Sequence, residues 1–287
     1  MSEISSEQNI LPDFLGIGAM RSGTTWLDGI LRTHPDLYLP ERRKEVHFFN
    51  KYYDRGIDWY RDFFLASEEA SKYQHIGEIT PAYLYFSEVP ARIKKHIPEC
   101  KFIIIFRNPV DRAYSHYGFQ VKNYAEKRTF QEMLDREPEV FLKGLYGQQL
   151  QRYLQHFSLD NFSILIYEHA LNNPEKALNQ LGNFLSIDPN KFDLSNVGRK
   201  YNASGSVRFP KARALARQCR DFLRSKDLDW MWNIAKTSGV ERIFEGKGKS
   251  IPPMNPDIRA ELISKYESDI TLLEKLIGID LSVWKTQ

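Results

Sequence analysis

The segment of residues 14–26 constrains the fold of this chain more than any other stretch of the sequence. Its apolar run ends at Gly16 and Gly18, and a short polar loop then leads into a helical pattern that opens at Thr24. This order predicts a strand, a tight turn and a helix N-terminus, where free backbone N–H groups and the helix dipole hold phosphate. A Walker A loop requires a Lys directly after its second glycine, whereas this chain has Thr24 there and carries its cation upstream, as Arg21. The loop therefore indicates an anion site and argues against ATP hydrolysis.

The rest of the sequence alternates apolar runs with helical patterns. Strands are predicted at residues 13–17, 101–106 and 162–167, and helices at 24–33, from Pro109 onward, at 174–185 and at 257–276. Asn108 is placed to cap the helix that Pro109 begins. This alternation predicts a single-domain α/β fold, with a central parallel sheet flanked by helices and a P-loop-like first turn. Residues 1–11 are expected to be a flexible N-terminal tail, and residues 12–287 the folded domain.

The composition argues against several classes of protein. With 42% hydrophobic and 27% charged residues, the chain is expected to be globular rather than disordered. Its formal net charge of +3 is too small to indicate a nucleic-acid partner. Cys100 and Cys219 lie far apart and lack metal-ligand spacing, so both are expected to be reduced and no metal site is predicted. Without a signal-peptide pattern at residues 1–9 or a long apolar run, we expect a cytoplasmic protein with no stable membrane insertion.

A second anion-binding pattern follows the predicted strand at residues 101–106. Arg107 stands directly after this strand, at the carboxyl edge where ligands bind in open α/β sheets. Ser115 lies about two turns into the next predicted helix, and its hydroxyl would add a donor to the same anion. The alternative is that Arg107 pairs with a carboxylate such as Asp111, and that Ser115 is only packed.

A third pattern is a glycine-containing loop with flanking cations, which runs from Arg199 through Gly205 to Arg208. Such a loop can fold over a bound phosphate, because successive backbone N–H groups and cations converge on the anion. The alternative is an ordinary solvated basic loop.

These three motifs together resemble those of the sulfotransferases that use 3′-phosphoadenosine 5′-phosphosulfate (PAPS). Residues 21–26 resemble the family's 5′-phosphosulfate loop, and residues 106–115 resemble its 3′-phosphate motif. Tyr167 and Glu168 resemble an element near the adenine, with His169 in place of an Asp, and residues 202–205 resemble a loop that completes the 3′-phosphate site. The tail at residues 272–284 is typical of bacterial and Golgi-type members.

The resemblance implies a sulfotransferase fold, PAPS as co-substrate, its 3′,5′-bisphosphate (PAP) as product, and no metal requirement. The implied nucleotide-binding residues are Arg21, Ser22, Gly23, Thr24, Thr25, Trp26, Arg107, Ser115, Tyr167, Tyr201, Ser204, Gly205 and Arg208. Trp26 and Tyr167 are expected to border the adenine, the alternative being that either ring belongs to the core. Arg21 replaces the more usual loop Lys, as in tyrosylprotein sulfotransferases. Because Arg does not readily release a proton, Arg21 is expected to act catalytically by stabilising the leaving phosphate electrostatically.

Within this family, residues 44–49 are similar to a segment of heparan sulfate sulfotransferases whose Glu is the proposed base. The similarity makes Glu45 the first candidate base, with His47 second because histidine as a residue type suits proton transfer near neutral pH. In an extended segment the two side chains would project to the same face, so one could orient the other. The alternative for His47 is a packed histidine. Residues 77–83 resemble another element of those enzymes, but Ile79 stands where they carry a Lys, which we take to argue against a heparan-like polysaccharide acceptor.

The implied reaction is transfer of a sulfuryl group from PAPS to a hydroxyl or an amine of a small-molecule or carbohydrate acceptor, for example in natural product biosynthesis. Residues 52–64, 117–153 and 230–249 are expected to wall the acceptor pocket. Two other classes remain open, a P-loop nucleotide kinase or NTPase and a non-catalytic nucleotide-binding protein. The sequence leaves open whether the chain is a monomer or a homodimer.

Overall fold

Five parallel strands form the centre of the fold, in the order β2-β3-β1-β4-β5. The computed structural model describes residues 9–124, 126–193, 210–237 and 251–286. The strands are β1 (Phe14–Gly18), β2 (Leu37–Tyr38), β3 (His75–Ile79), β4 (Lys101–Phe106) and β5 (Phe162–Ile166). Because all pairs are parallel, the carboxyl ends of the strands lie along one edge of the sheet. The predicted central parallel sheet is confirmed.

Helices connect and flank the strands. They are α1 (Thr24–Leu31), α2 (Phe48–Lys51), α3 (Ile57–Arg61), α4 (Ser67–Ala70), α5 (Val89–His96), α6 (Pro109–Tyr124), α7 (Phe130–Arg136), α8 (Pro138–Leu142), α9 (Tyr146–Leu154), α10 (Tyr167–Asn172), α11 (Pro174–Leu185), α12 (Pro210–Ser225), α13 (Asp229–Thr237) and α14 (Pro256–Ile277). The start of α6 is as predicted, because the Val110 N–H donates to Asn108 Oδ1 at 2.9 Å. In the parts of the chain that the structure describes, we find no helical stretch with the length and hydropathy that a bilayer-spanning segment requires.

The main core lies between the sheet and the helices that follow β1 and β5, which are α1, α10 and α11. The β1, β4 and β5 side chains are almost all buried, as expected for parallel strands covered on both faces. Gly16 allows β3 to approach β1, since a Cβ there would lie 2.8 Å from Ile79. Before β1, the Ile10 N–H donates to Leu65 O at 3.1 Å. Ile10 lies inside the predicted tail of residues 1–11, so this end of the predicted tail is bound to the rest of the protein.

The backbone contacts group the chain into two compact units. The first unit holds the whole sheet and comprises Met1–Arg107, Tyr146–Arg199 and Leu272–Ile279. The second comprises Asn108–Leu145, Lys200–Thr271 and Asp280–Gln287, and its described part is helical. Within the second unit, the rings of Phe141 and Tyr266 stack at 4.5 Å and Arg217 donates to Asn123 Oδ1 at 3.0 Å.

Candidate functional site

The loop between β1 and α1 has a backbone suited to an anion. Arg21 and Gly23 have φ angles of 70° and 100°, in the left-handed region, so the chain turns sharply before the helix. The Ala19 N–H donates to a β4 carbonyl, Ile105 O, at 2.9 Å. Within the described residues, the amides of Thr24 and Thr25 have no backbone acceptor, as expected in the first turn of a helix. These donors and the dipole of α1 fit the anion that the sequence predicts here, and its binding stays a prediction.

The ends of β4 and β5 meet this loop, which itself follows β1. Arg107, directly after β4, makes a long hydrogen bond from Nη1 to Arg21 O at 3.5 Å, and its Cζ lies 5.0 Å from the centre of the Tyr167 ring. Tyr167 follows β5 and begins α10, one residue beyond the observed end of the strand that was predicted to include it. A Cβ at Gly23 would lie 2.7 Å from the Tyr167 ring. The structure therefore brings Arg21, Gly23, Arg107 and Tyr167 together.

Arg107 retains a donor for a ligand. Its Nε atom is buried and has no hydrogen-bond partner among the described residues. A buried N–H without a partner is costly, and an anion at this position would remove that cost. The carboxylate of Asp111, which the sequence offered as an alternative partner, accepts a hydrogen bond from Arg259 Nη1 at 2.8 Å and so has a cation of its own.

Two further residues of the segment 21–26 are buried. Trp26 is 6% exposed and belongs to the main hydrophobic cluster, so its core packing is observed and its contact with adenine stays a prediction. Ser22 is fully buried, and its hydroxyl lies 3.4 Å from the Tyr146 hydroxyl, close enough for a hydrogen bond. Tyr146 begins α9 and packs on Phe106 with ring centres 4.7 Å apart. The sequence indicated Tyr146 only as one residue of the predicted pocket wall at 117–153, because a single tyrosine belongs to no motif.

The two candidate bases are in contact. Glu45 Oε2 lies 3.3 Å from His47 Nε2, and the two side chains are 38% and 28% exposed. His47 is not in the extended conformation assumed from the sequence, since its φ is 59° and it precedes the first turn of α2. Its Nδ1 lies 3.2 Å from Asn50 Oδ1, a partner that sequence reasoning missed. The arrangement is a chain from Asn50 through the imidazole to a partly exposed carboxylate.

The segment that leads into Glu45 is fixed to helix α1. Asp28 of α1 lies 3.2 Å from Arg32 and 3.6 Å from Lys44, measured between charged atoms. Arg32 also donates to Leu39 O at 2.9 Å and to Pro40 O at 3.0 Å. These bonds hold residues 39–44 against α1, whose N-terminus is the predicted anion site.

Close to Glu45 in the sequence, several cationic side chains lie over aromatic rings. These residues, which we call the aromatic–cation cluster, are Arg42, Arg43, Lys51, Tyr52, Arg55, Trp59 and Phe63. Arg43 is 1% exposed as a residue, and its Cζ atom lies 5.1–5.7 Å from the centres of three of these rings. Arg55 is exposed and lies 5.0 Å from the Trp59 ring. Cations bind carboxylates and sulfates, and aromatic faces pack against apolar faces of ligands.

The remaining predicted residues lie elsewhere. Ile79 is fully buried in β3, against Gly16, and does not face solvent. Ser115 lies on α6 in the second unit, and its part in binding stays a prediction. Tyr201, Ser204, Gly205 and Arg208 fall outside the described residues. Both cysteines are free thiols, and burial raises the pKa of Cys100 well above its usual value.

Comparisons with known proteins place these features in one family. The sulfotransferase domain family matches residues 11–203. Mouse bifunctional heparan sulfate N-deacetylase/N-sulfotransferase 3 is 29% identical over 299 residues, covering 96% of this chain and 31% of that protein. Human heparan sulfate glucosamine 3-O-sulfotransferase 3B1 is 30% identical over 186 residues, covering 62% of this chain and 46% of that protein. The chain therefore spans less than half the length of these two relatives.

Solved structures agree with the sequence match. A sulfotransferase from Alicyclobacillus acidocaldarius has a TM-score of 0.69 at 25% identity, covering 96% of this chain and 100% of that one. Retinol dehydratase in complex with androsterone and inactive cofactor PAP has a TM-score of 0.50 at 13% identity, covering 95% and 84%, which shows a shared fold. The family match includes the loop between β1 and α1, which we call the anion loop, together with Glu45, His47 and Arg107. This chain belongs to the sulfotransferase family.

Proposed function

We propose that this chain is a sulfotransferase that moves the sulfuryl group of PAPS to a hydroxyl or amino group of a carbohydrate. The observation that carries the proposal is the family match over residues 11–203, which includes both the anion loop and the Glu45–His47 pair. Two relatives are named for N-sulfotransfer and for 3-O-sulfotransfer on heparan sulfate or its glucosamine, so both acceptor atoms occur among similar proteins.

The residues at the strand ends fit a donor with two anionic groups. Arg21 and the first-turn amides of Thr24 and Thr25 would hold the 5′ side, and the buried Nε of Arg107 supports a contact with the 3′-phosphate. When bound, PAPS supplies an activated sulfuryl group whose transfer leaves negative charge on the 5′-phosphate. Arg21 and the amides stabilise negative charge at that place, and Arg21 does so without releasing a proton.

The acceptor must lose a proton, and Glu45 is the proposed base. Its carboxylate is partly exposed, so an acceptor can reach it, and it lies 3.3 Å from His47 Nε2. His47 is held on its other side by Asn50 and so can fix the orientation of the carboxylate. His47 is the alternative base, because its Nε2 lies directly beside the Glu45 carboxylate.

The aromatic–cation cluster supports a carbohydrate acceptor with anionic substituents. Exposed Arg55 and the Trp59 ring offer a cation beside an aromatic face, a few residues after the proposed base. Ile79, whose lack of charge argued against a heparan-like acceptor, is buried against Gly16 and cannot contact an acceptor from the solvent side. The proposal therefore includes anionic glucosamine-containing chains.

A panel of acceptors tests this function. The protein is incubated with PAPS and either a glucosamine oligosaccharide with free amines, its N-acetylated form, or a simple phenol, and products are read by mass spectrometry. We expect one of the oligosaccharides to gain a sulfuryl group, and comparison of the two forms identifies nitrogen or oxygen as the acceptor atom. Sulfation of the phenol alone would show that the acceptor is a small molecule and not a carbohydrate. Transfer from ATP with magnesium, and not from PAPS, would indicate a kinase.

A further inference from the structure

A fully buried carboxylate lies beneath the segment that carries the candidate bases. Glu78 of β3 is 0% exposed, and each of its oxygens accepts two hydrogen bonds. The Tyr60 and Tyr83 hydroxyls donate to Oε1 at 2.9 and 2.7 Å. The Thr80 hydroxyl and the Val46 N–H donate to Oε2 at 2.8 and 3.2 Å. Burial raises the pKa of Glu78, and the four donors oppose this rise because they favour the ionised form.

The partners of Glu78 reach the neighbouring amides of the same segment. The His47 N–H donates to Thr80 Oγ1 at 3.4 Å, and the Phe49 N–H donates to the Tyr83 hydroxyl at 3.4 Å. Together with Val46, three backbone amides between residues 46 and 49 are therefore bound to one carboxylate, directly or through one hydroxyl. The segment includes His47 in a left-handed conformation, which costs free energy and persists only where neighbouring groups hold it.

We propose that Glu78, with Thr80 and Tyr83, is a positioning residue that holds residues 46–49 so that His47 and Glu45 meet in the arrangement needed for proton transfer. This proposal rests on the proposed base role of the Glu45–His47 pair. A simple packing role is a poor alternative, because an apolar side chain in β3 would fill the same space without burying a charge. The carboxylate instead supplies the acceptors that a run of backbone N–H groups requires.

The two buried tyrosines provide a matched pair for the test. Tyr60 and Tyr83 are both fully buried and both donate to Glu78 Oε1, but in the described bonds only Tyr83 also accepts from an amide of the segment. Tyr83→Phe and Thr80→Val each remove one amide acceptor, whereas Tyr60→Phe removes only a donor to the carboxylate. Glu78→Leu would leave four donors without their acceptor and is expected to destabilise the whole protein, so the hydroxyl variants are used.

Each variant is measured by turnover with PAPS, by PAP affinity and by amide hydrogen exchange of residues 46–49. For Thr80→Val and Tyr83→Phe we expect faster exchange in this segment and a kcat lowered about tenfold or more, with PAP affinity within about twofold of wild type. For Tyr60→Phe we expect exchange and kcat close to wild type. Unchanged exchange in Thr80→Val and Tyr83→Phe, faster exchange with unchanged kcat, or an equal loss of kcat in Tyr60→Phe would each overturn the positioning role.

The exchange measurement also separates this proposal from the proposed base. If Glu45→Gln retained wild-type turnover, the base assignment would fail, whatever the exchange of residues 46–49 showed. If Glu45→Gln lost turnover but the two hydroxyl variants did not, the base would stand and the positioning role would be wrong.

Discussion

At the scale of single residues, the chemistry of this chain centres on contacts that sequence reasoning could name only in part. The motif identified Glu45 and His47, and we expected their side chains to meet. Glu45 Oε2 and His47 Nε2 lie 3.3 Å apart. The expected reason was wrong, because His47 is left-handed rather than extended. Asn50 was missed because an Asn three residues after a His has no distinctive pattern, and only the fold brings its amide to the imidazole.

Glu45→Gln tests the base directly. The amide keeps the size of the carboxylate but cannot take a proton, so we expect kcat to fall roughly 10²- to 10⁴-fold, the usual contribution of a general base. PAP affinity, measured by calorimetry, should stay near wild type. Glu41→Gln is a suitable control, since Glu41 is an exposed carboxylate on the same segment. Turnover in Glu45→Gln equal to that of the control would contradict the assignment.

Arg107→Ala tests the contact with the 3′-phosphate. Loss of a charge-assisted contact costs roughly 1.5–3 kcal/mol, or about ten- to hundredfold in affinity, so PAP binding should weaken by that factor. Adenosine 5′-phosphosulfate lacks the 3′-phosphate and serves as the internal control, with an affinity that should change little. Equal losses for the two nucleotides in a binding titration would refute this role of Arg107.

At the scale of elements, the turn before α1 depends on a glycine. Gly23→Ala places a Cβ at a φ of 100° and 2.7 Å from the Tyr167 ring, whereas Gly56→Ala places one at a φ of 81° with no atom within 4 Å. Both variants should lose roughly 1–3 kcal/mol of stability from backbone strain, measured by chemical unfolding. Only Gly23→Ala should also weaken PAP binding, because the loop and Tyr167 must move apart. A similar PAP affinity in both variants would show that the loop tolerates this movement.

The elements differ in how far they could be predicted. Strands β1 and β4 and helix α14 follow apolar runs and helical spacing, so their positions could be predicted within one residue at each end. Strand β3 was not predicted, because His75–Ile79 contains Gly77 and Glu78, which disfavour a buried strand. Glu78 is tolerated there only because distant residues supply its donors, and no local pattern reveals them.

At the scale of the whole molecule, the α/β class could be predicted because it depends on alternation along the chain rather than on individual contacts. The convergence of Arg21, Arg107 and Tyr167 could also be anticipated, since parallel strands place their carboxyl ends at one edge. The residues that contact the acceptor could not be predicted, because burial decides which side chains an acceptor can reach. Ile79 shows this, because its place in the motif was taken to argue against a heparan-like acceptor, whereas the strand buries its side chain completely.

The stability of the whole molecule should depend on pH through His75. Its Nδ1 lies 3.1 Å from Asp13 Oδ2 and its Nε2 lies 2.6 Å from Leu185 O. The hydrogen bond with Asp13 raises the pKa of His75, so the folded protein favours the charged ring. This contribution is fully present below the unfolded pKa of about 6.5 and is lost as pH rises through the higher folded pKa.

His75→Gln should therefore lower the free energy of unfolding more at about pH 5.5 than at about pH 9, as measured by urea unfolding. His156→Gln, at an exposed histidine, is the control for adding an amide in place of an imidazole. A His75→Gln effect that is equal at both pH values, or larger at the alkaline one, would contradict this linkage.

The central claim is sulfuryl transfer from PAPS through the Glu45–His47 pair, and donor choice with product stoichiometry tests it most directly. Wild-type protein and Glu45→Gln are incubated with the glucosamine oligosaccharides and either PAPS with a chelator or ATP with magnesium. We expect that wild type releases one PAP for each sulfated product, that Glu45→Gln binds PAPS but forms almost no sulfated product, and that ATP gives no product. Phosphorylated product from ATP, or PAPS binding without sulfated product from wild type with any acceptor, would contradict it.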